Sequence, residues 1–299
     1  MSAEAYRQPT GRDGNRGDIQ DAFVSLNGLR LHWYGAGEKS GSPVVLLHGG
    51  GVDSAWLSWK LTLPALAKAH LTIAPEMPGY GQSDRPANFT HTVDAYVEVV
   101  RQLMDALDIK QASLSGVSLG GAIAIGFALA HPQRVNKLVP VASYGLQHTA
   151  PAHFWSYLFV RLPGITRATY ALLRRNPHWA RATLRSIFAD PNAITDDLAG
   201  DVFAEIQRPD AGAAFEQFQK HEVLPGCMRT IYIDRLSEIA APTLFVHGER
   251  DRLVPVDCAR EAQQRTPNAQ LHVMPNCGHW PQRERPEEFN SVLTGFLHD

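Results

Sequence analysis

Short apolar runs alternate with helix-like segments through the first half of the chain. Strand patterns, in which apolar residues run almost without interruption, lie at residues 43–47, 71–74, 112–116 and 135–141. Helix-like patterns lie between them, at residues 54–69, 93–107 and 119–130. Because strands joined through helices form right-handed parallel crossovers, the alternation predicts an α/β protein with a mostly parallel, doubly wound sheet.

A hairpin is predicted before the first of these strands. Residues 23–26 and 29–34 are β-prone runs joined by Asn27-Gly28, the dipeptide most typical of a two-residue hairpin turn. The preceding residues, 1–20, are polar and carry no apolar segment of the signal-peptide kind. We therefore expect a flexible N-terminal tail over 1–20 and an antiparallel hairpin at the edge of the sheet.

The alternation stops in the second half of the chain. From about 147 to 235 only helix-like segments occur, separated by prolines, and strand patterns resume at 242–247 and 270–274. This arrangement predicts a core formed by residues 21–146 and 236–299. Residues 147–235 are predicted to be an inserted helical cap.

Composition and charge exclude several classes of partner. Lysine and arginine number 28 against 30 acidic residues, and no basic block appears, so nucleic acid and anionic membranes are disfavoured and a small neutral molecule is favoured. The three cysteines show no metal-ligand spacing, so no metal site or disulfide framework is expected. The least polar run, 119–130, is shorter than the roughly 20 residues of a membrane-spanning helix. A cytoplasmic protein is the resulting expectation.

The candidate nucleophile is Ser118. It lies in a Gly-x-Ser-x-Gly motif, Gly116 to Gly120, between a buried-strand pattern and an Ala/Gly-rich helix pattern. A nucleophilic serine of this kind projects from a sharp strand-to-helix turn, and the glycines let the two backbones approach closely. The placement predicts a serine hydrolase.

A serine hydroxyl needs a base to accept its proton and an acid to orient that base. In this motif's usual context both follow the serine, acid first, on loops after later strands. Asp251 follows the strand pattern 242–247, and His279 follows the last one. Asp251 is therefore the predicted orienting acid and His279 the predicted base, with Glu249 and Asp257 as rival acids.

Backbone N–H groups must stabilise the oxyanion that develops in acyl transfer. One source is Leu119, directly after the serine. The other is the glycine turn after the first strand, where Gly50 is the first choice and Gly49 the second. We expect the His48 ring to brace this turn.

With these motifs in place, the chain resembles the α/β-hydrolase superfamily from about residue 23 to 297. The segments LLHGGG, PGYGQSDRP, SLGGAIAIGFALAHPQRVNKLV, GERDRLVP and CGHW resemble most closely those of the meta-cleavage-product C–C hydrolases and their esterase relatives. The resemblance implies a helical lid, no metal or organic cofactor, and often a homodimer.

Three positions depart from the C–C hydrolase pattern. Val117 and Ser58 stand where that family usually has asparagine, and Val202 stands where it has a carboxylate-binding arginine. Since a buried carboxylate without a partner is costly, these departures favour small to medium neutral esters, by at least about tenfold in catalytic efficiency over acidic dienones. Hydrolysis of a vinylogous diketone, lactone hydrolysis and a receptor with negligible turnover stay open as alternatives.

Apolar residues of the predicted cap are expected to contact the substrate. The predicted substrate-binding residues are Trp280, Val117, Val202, Phe203, Phe154 and Leu158.

Overall fold

A computed structural model describes residues 19–152 and 154–298, and eight strands of this part form one sheet. The strands are β1 (Gln20–Leu26), β2 (Leu29–Ala36), β3 (Ser42–Leu47), β4 (His70–Pro75), β5 (Ala112–Val117), β6 (Val135–Val141), β7 (Thr243–Gly248) and β8 (Ala269–Met274). Their order is β1-β2-β4-β3-β5-β6-β7-β8. β2 pairs antiparallel with both β1 and β4, and the other neighbours are parallel, so the predicted mostly parallel sheet is confirmed.

Twelve α-helices occur in the described residues. Those before β7 in the chain are α1 (Ala55–Trp59), α2 (Leu63–Leu66), α3 (Val93–Ala106), α4 (Leu119–Ala130), α5 (Phe154–Arg161), α6 (Ile165–Leu173), α7 (Pro177–Leu184), α8 (Asp196–Ile206) and α9 (Ala213–Glu222). Those after β7 are α10 (Val256–Arg265), α11 (Pro281–Glu284) and α12 (Pro286–His298). None of them is long and apolar enough to cross a membrane.

The sheet is buried on both faces, as strand β3 illustrates. Val45 and Leu47 point into a cluster shared with α3 and α4, whereas Val44 and Leu46 point into a second cluster shared with α1, α2 and α12. Successive side chains of a strand face opposite sides, so a strand between two helical layers needs apolar residues throughout. This requirement explains the unbroken apolar run.

The predicted hairpin is confirmed. Leu26 pairs with Leu29, and both turn residues, Asn27 and Gly28, have positive φ. Gln20, the last residue of the predicted tail, already belongs to β1, and residues 1–18 of that tail lie outside the described residues.

The single helix predicted over 54–69 is wrong. The structure has two short helices there, because Pro64 has no N–H to donate within a continuous helix and instead occupies the first turn of α2.

Helices α5–α9 are inserted between β6 and β7 and pack over the carboxyl ends of the strands. Tyr144, just after β6, donates a 2.7 Å hydrogen bond to Glu222 of α9. The N–H of His279 donates to the carbonyl of Ile187, 2.6 Å away, and Lys60 pairs with Asp201 of α8. These contacts hold the inserted helices against the strand ends that carry the candidate residues.

Candidate active site

Ser118 lies at a strained turn between β5 and α4. Its backbone has φ 51° and ψ −113°, a conformation that costs about 1–3 kcal/mol for a non-glycine residue. A Cβ on Gly116 would stand 2.2 Å from the Gly120 carbonyl oxygen, and one on Gly120 would stand 2.2 Å from that of Leu47. The two glycines are therefore sterically required, as the motif predicts.

Asp251 and His279 meet at the neighbouring strand ends. Asp251 follows β7, His279 follows β8, and the parallel pairing of these strands places the two loops side by side. The Nδ1 atom of His279 lies 2.7 Å from Oδ2 of Asp251. Because the carboxylate accepts the proton on Nδ1, Nε2 is left as the basic nitrogen.

Asp251 is held as a carboxylate. Burial alone would raise its pKa, but hydrogen bonds from His247 and His279 outweigh burial and hold the pKa well below its usual range. The N–H groups of Leu253 and Val254 also donate to Oδ1, at 2.8 and 3.0 Å. Such a group orients a histidine without taking its proton.

The rival acids lie elsewhere. Glu249 accepts a hydrogen bond from the N–H of Asn276, and Asp257 pairs with Arg260 at the surface. Neither contacts His279 among the interactions of the described residues. Asp251 is thus the carboxylate that the structure brings to the ring.

Ser118 and His279 line the same two cavities. Their side chains make no hydrogen bond to each other in this structure of residues 19–152 and 154–298. Hydrogen bonds between a nucleophile and its base are often long without substrate and tighten once it binds. The arrangement can support proton transfer to His279 once substrate binding brings the two side chains together.

The glycine turn after β3 is braced from two sides by the His48 ring, as predicted. Nδ1 lies 2.7 Å from the carbonyl oxygen of Gly49, and Nε2 accepts the N–H of Met77 at 3.0 Å. Burial lowers the pKa of His48 to about 4, so the ring is neutral. A neutral ring satisfies one donor and one acceptor at once.

The three predicted oxyanion donors are not equivalent. The N–H of Gly49 donates to Oδ2 of Asp53 at 2.6 Å, so it is already engaged and the choice of Gly49 as a donor is not supported. Leu119 opens α4, where the first N–H groups have no partner within the helix, and Gly50 lies on the wall of one cavity beside Ser118. Gly50 and Leu119 are the donors that this geometry favours.

Asp53 forms a buried polar cluster under the glycine turn. Its carboxylate accepts hydrogen bonds from Gly49, Ser54 and Ser58, and Ser58 in turn lies 3.4 Å from the amide of Gln282. Burial raises the pKa of Asp53 to about 7, against the effect of these hydrogen bonds. Asp53 was not predicted from the sequence, although its position two residues after Gly51 was a signal.

Two cavities meet at Ser118 and His279. The larger, of about 820 Å³, lies mainly under α5 and α9 and is mostly apolar. Its wall includes Leu119, Tyr144, Trp155, Leu158, Phe159, Phe215, Phe218, Met228 and Leu253. The smaller, of about 380 Å³, is lined by the glycine turn, Asp53, Leu184, Val202, Phe215 and Trp280. The site can therefore hold a substrate with two arms.

The predicted substrate-binding residues divide into two groups. Leu158 lines the larger cavity, and Val202 and Trp280 line the smaller one. Three predictions are not supported, because these side chains lie on neither wall: Val117 is fully buried in the core, Phe203 packs beside the core and Phe154 is half exposed. These three predictions fail because neighbouring side chains of a strand or helix point to different sides, so a residue beside a site residue in sequence can face away from the cavity.

Phe215 of α9 was missed by the sequence analysis. Its ring lies so close to the glycine turn that a Cβ on Gly50 would stand 2.5 Å from it, and the ring stacks against Phe218. Nothing in the local sequence pattern separates it from an ordinary core residue. In the part of the chain that the structure describes, no group of three or more His, Cys, Asp or Glu side chains is placed to hold a metal ion.

Comparison with known proteins agrees with this geometry. Residues 43–286 match a family model described as alpha/beta hydrolase fold. The chain is 35% identical to the 2-hydroxymuconate semialdehyde hydrolase of Pseudomonas sp. strain CF600, over 90% of this chain and 91% of that protein. It is 32% identical to the 2-hydroxy-6-oxo-6-phenylhexa-2,4-dienoate hydrolase of Burkholderia cepacia, over 92% and 95%.

A solved structure shows the same likeness. The meta-cleavage product hydrolase CumD of Pseudomonas fluorescens IP01 superposes with a TM-score of 0.77 at 28% identity, covering 92% of this chain and 97% of CumD. The family model spans most of the chain, and the relatives match it almost from end to end. The chain therefore belongs to the α/β hydrolase fold family.

Proposed function

We propose that this hydrolase cleaves a carbon–carbon bond in a 2-hydroxy-6-oxo-dienoate, a vinylogous diketone. The observation that carries the proposal is similarity over about nine tenths of both chains to hydrolases whose names specify such compounds. The site supports it, since acyl transfer to Ser118 needs only the groups described above. This proposal reverses the preference for neutral esters that the sequence analysis favoured.

The proposed reaction uses Ser118 as nucleophile. Its Oγ adds to the C6 carbonyl as His279 takes the hydroxyl proton, and the N–H groups of Gly50 and Leu119 stabilise the oxyanion. Before this addition the dienol ketonises, as the 2-hydroxyl group loses a proton and C5 gains one. The C5–C6 bond then breaks, its electron pair is delocalised to the 2-oxo group, and the proton held by His279 is returned to that oxygen, which gives the 2-hydroxydienoate. Water activated by the same ring releases the acid from Ser118.

The larger cavity favours a sizeable apolar substituent on C6. Its wall is formed mostly by aromatic and aliphatic side chains, including Phe215, Phe218 and Leu158. Glu222 also lines it, and Tyr144 and the Thr230 N–H already satisfy that buried carboxylate. A second carboxylate on the substrate would meet this charge, so we infer a neutral substituent such as phenyl.

The smaller cavity then takes the dienoate. Val202 supplies no cation there, but Arg283 of α11 is only 6% exposed and its Nε and Nη1 atoms contact no acceptor among the described residues. Burial lowers the pKa of Arg283, and the negative charges of Asp201 and of Asp53, which lines the cavity, oppose that shift. Arg283 itself lines neither cavity, and we propose that its charge supplies a positive field for the substrate carboxylate without direct contact.

We propose that residues 147–235 act as the cap over both cavities. The inserted helices supply Leu158 to the wall of the larger cavity, Val202 to the wall of the smaller one, and Phe215 to both. A cap of this kind excludes water from the reacting bond.

Ester hydrolysis is the second candidate. The specific observation in its favour is the apolar Val202 on the wall of the smaller cavity, where an ester's neutral alcohol group would gain about 0.8 kcal/mol per buried methylene.

The test is a series of dienoates with hydrogen, methyl or phenyl on C6. Purified protein should convert each to a carboxylic acid and a 2-hydroxydienoate, fastest with phenyl, because phenyl buries the most apolar surface in the larger cavity. Ser118→Ala should abolish turnover without loss of stability. No turnover of any dienoate by folded protein would reject the proposal.

A further inference from the structure

The outer sides of α5, α6 and α7 concentrate exposed apolar side chains. Of the nine large hydrophobic side chains that are exposed in the described residues, seven lie between residues 154 and 179. They are Phe154, Trp155, Leu158, Phe159, Leu162, Leu172 and Trp179, and Trp155 is 72% exposed. Scattered exposed apolar residues need no explanation, but a concentration on consecutive elements indicates an interaction surface.

The same stretch is strongly basic. Residues 154–189 hold six of the chain's 28 basic residues and none of its 30 acidic residues. Arg161 and Arg174 donate to carbonyls at the ends of α9 and α8, and Arg181 pairs with Asp196. The remaining three, Arg167, Arg175 and Arg185, are exposed and make no ion pair with any described residue.

Exposed aromatic and aliphatic side chains interspersed with arginines are the combination that binds at the surface of an anionic bilayer. A second copy of the chain fits less well, because a two-fold contact through this surface would place arginines against arginines with no acidic partner. We propose that the α5–α7 surface, the exposed residues between 154 and 185, docks onto anionic lipid.

The larger cavity opens beside this surface. Trp155, Leu158 and Phe159 are 72%, 40% and 54% exposed, yet all three line the cavity that contains Ser118 and His279. A docked protein would thus present this cavity to the lipid, where apolar substrates concentrate. The docking itself does not rest on the proposed reaction.

The experiment measures partitioning of the full chain onto vesicles. Vesicles of phosphatidylcholine with and without phosphatidylglycerol are sedimented with protein at low and at 1 M salt. The test variant is Arg167→Glu with Arg175→Glu and Arg185→Glu, none of which lines either cavity. The control variant combines Lys68→Glu, Arg235→Glu and Arg260→Glu. It has the same change of net charge, at exposed sites outside the α5–α7 surface.

The wild type and the control should bind the anionic vesicles and leave them at 1 M salt, because salt screens the attraction. The test variant should partition at least about 100-fold more weakly, since each basic residue near such a surface contributes about 1 kcal/mol. All three proteins should turn over a water-soluble substrate alike. Three results would overturn the proposal: no binding by the wild type, equal loss in the control, or a dimer that only the test variant dissociates.

Discussion

Gly50→Ala tests the contact between the glycine turn and the inserted helices. Gly50 is not among the glycines with positive φ, so alanine is compatible with its backbone. The added methyl would stand 2.5 Å from Cε2 and 2.7 Å from Cδ2 of Phe215, whereas carbon atoms pack at about 3.5–4.0 Å. The ring or the turn must therefore move by about 1 Å, and overpacking of this kind costs about 1–3 kcal/mol.

Urea unfolding should show this loss in Gly50→Ala. Turnover should fall at least about tenfold, since an N–H displaced by 1 Å stabilises the oxyanion poorly. Adding Phe215→Leu should recover at least about 1 kcal/mol in a double-mutant cycle, because the smaller side chain makes room. Gly295→Ala is the matched control, as its methyl meets nothing within 4 Å. Wild-type stability in Gly50→Ala, or no recovery with Phe215→Leu, would refute the reasoning.

Three further predictions follow from buried charges. Asp251→Asn should lower kcat by about 10⁴-fold with little change in KM, since the amide favours the wrong tautomer of His279; a loss below tenfold in steady-state assays would contradict the role. Because burial raises the pKa of Asp53 to about 7, its contribution to stability is present below about pH 4 and lost as the pH rises to 7. Between about pH 4 and pH 7, the free energy of unfolding of the wild type should therefore fall relative to that of Asp53→Asn, by at most about 4 kcal/mol. If the stability of the two proteins changed in parallel over this range, the raised pKa of Asp53 would be excluded. Arg283→Met should raise KM for a dienoate about tenfold and leave a neutral ester unaffected, with little loss of stability because the buried Nε and Nη1 atoms of Arg283 have no hydrogen-bond partner among the described residues; equal effects on both substrates would indicate a structural role.

Features set by local sequence were predictable. The hairpin depends on Asn27-Gly28, the buried strands on unbroken apolar runs, and the turn at Ser118 on its two flanking glycines. The pairing of Asp251 with His279 followed from chain order and from the meeting of strand ends in a parallel sheet. In each case a few adjacent residues, or one rule of topology, determine the outcome.

Features set by distant contacts were not predictable. Val117 follows the strand into the core, although it adjoins Ser118 in sequence. Phe215 reaches the glycine turn from a helix more than 160 residues along the chain, and the raised pKa of Asp53 depends on its burial in the folded protein. Arg167, Arg175 and Arg185 of the α5–α7 surface are eight to ten residues apart in the sequence, so no basic block appears there, although all three are exposed.

The central claim is cleavage of a carbon–carbon bond at Ser118, and one comparison tests it most directly. 2-Hydroxy-6-oxo-6-phenylhexa-2,4-dienoate and phenyl benzoate would transfer the same benzoyl group to Ser118, so the ratio of their kcat/KM values reports only the recognition and departure of the leaving group. The account predicts a ratio of at least about ten in favour of the dienoate, equal to 1.4 kcal/mol of transition-state stabilisation. A higher kcat/KM for the ester would contradict it and identify the protein as a carboxylesterase.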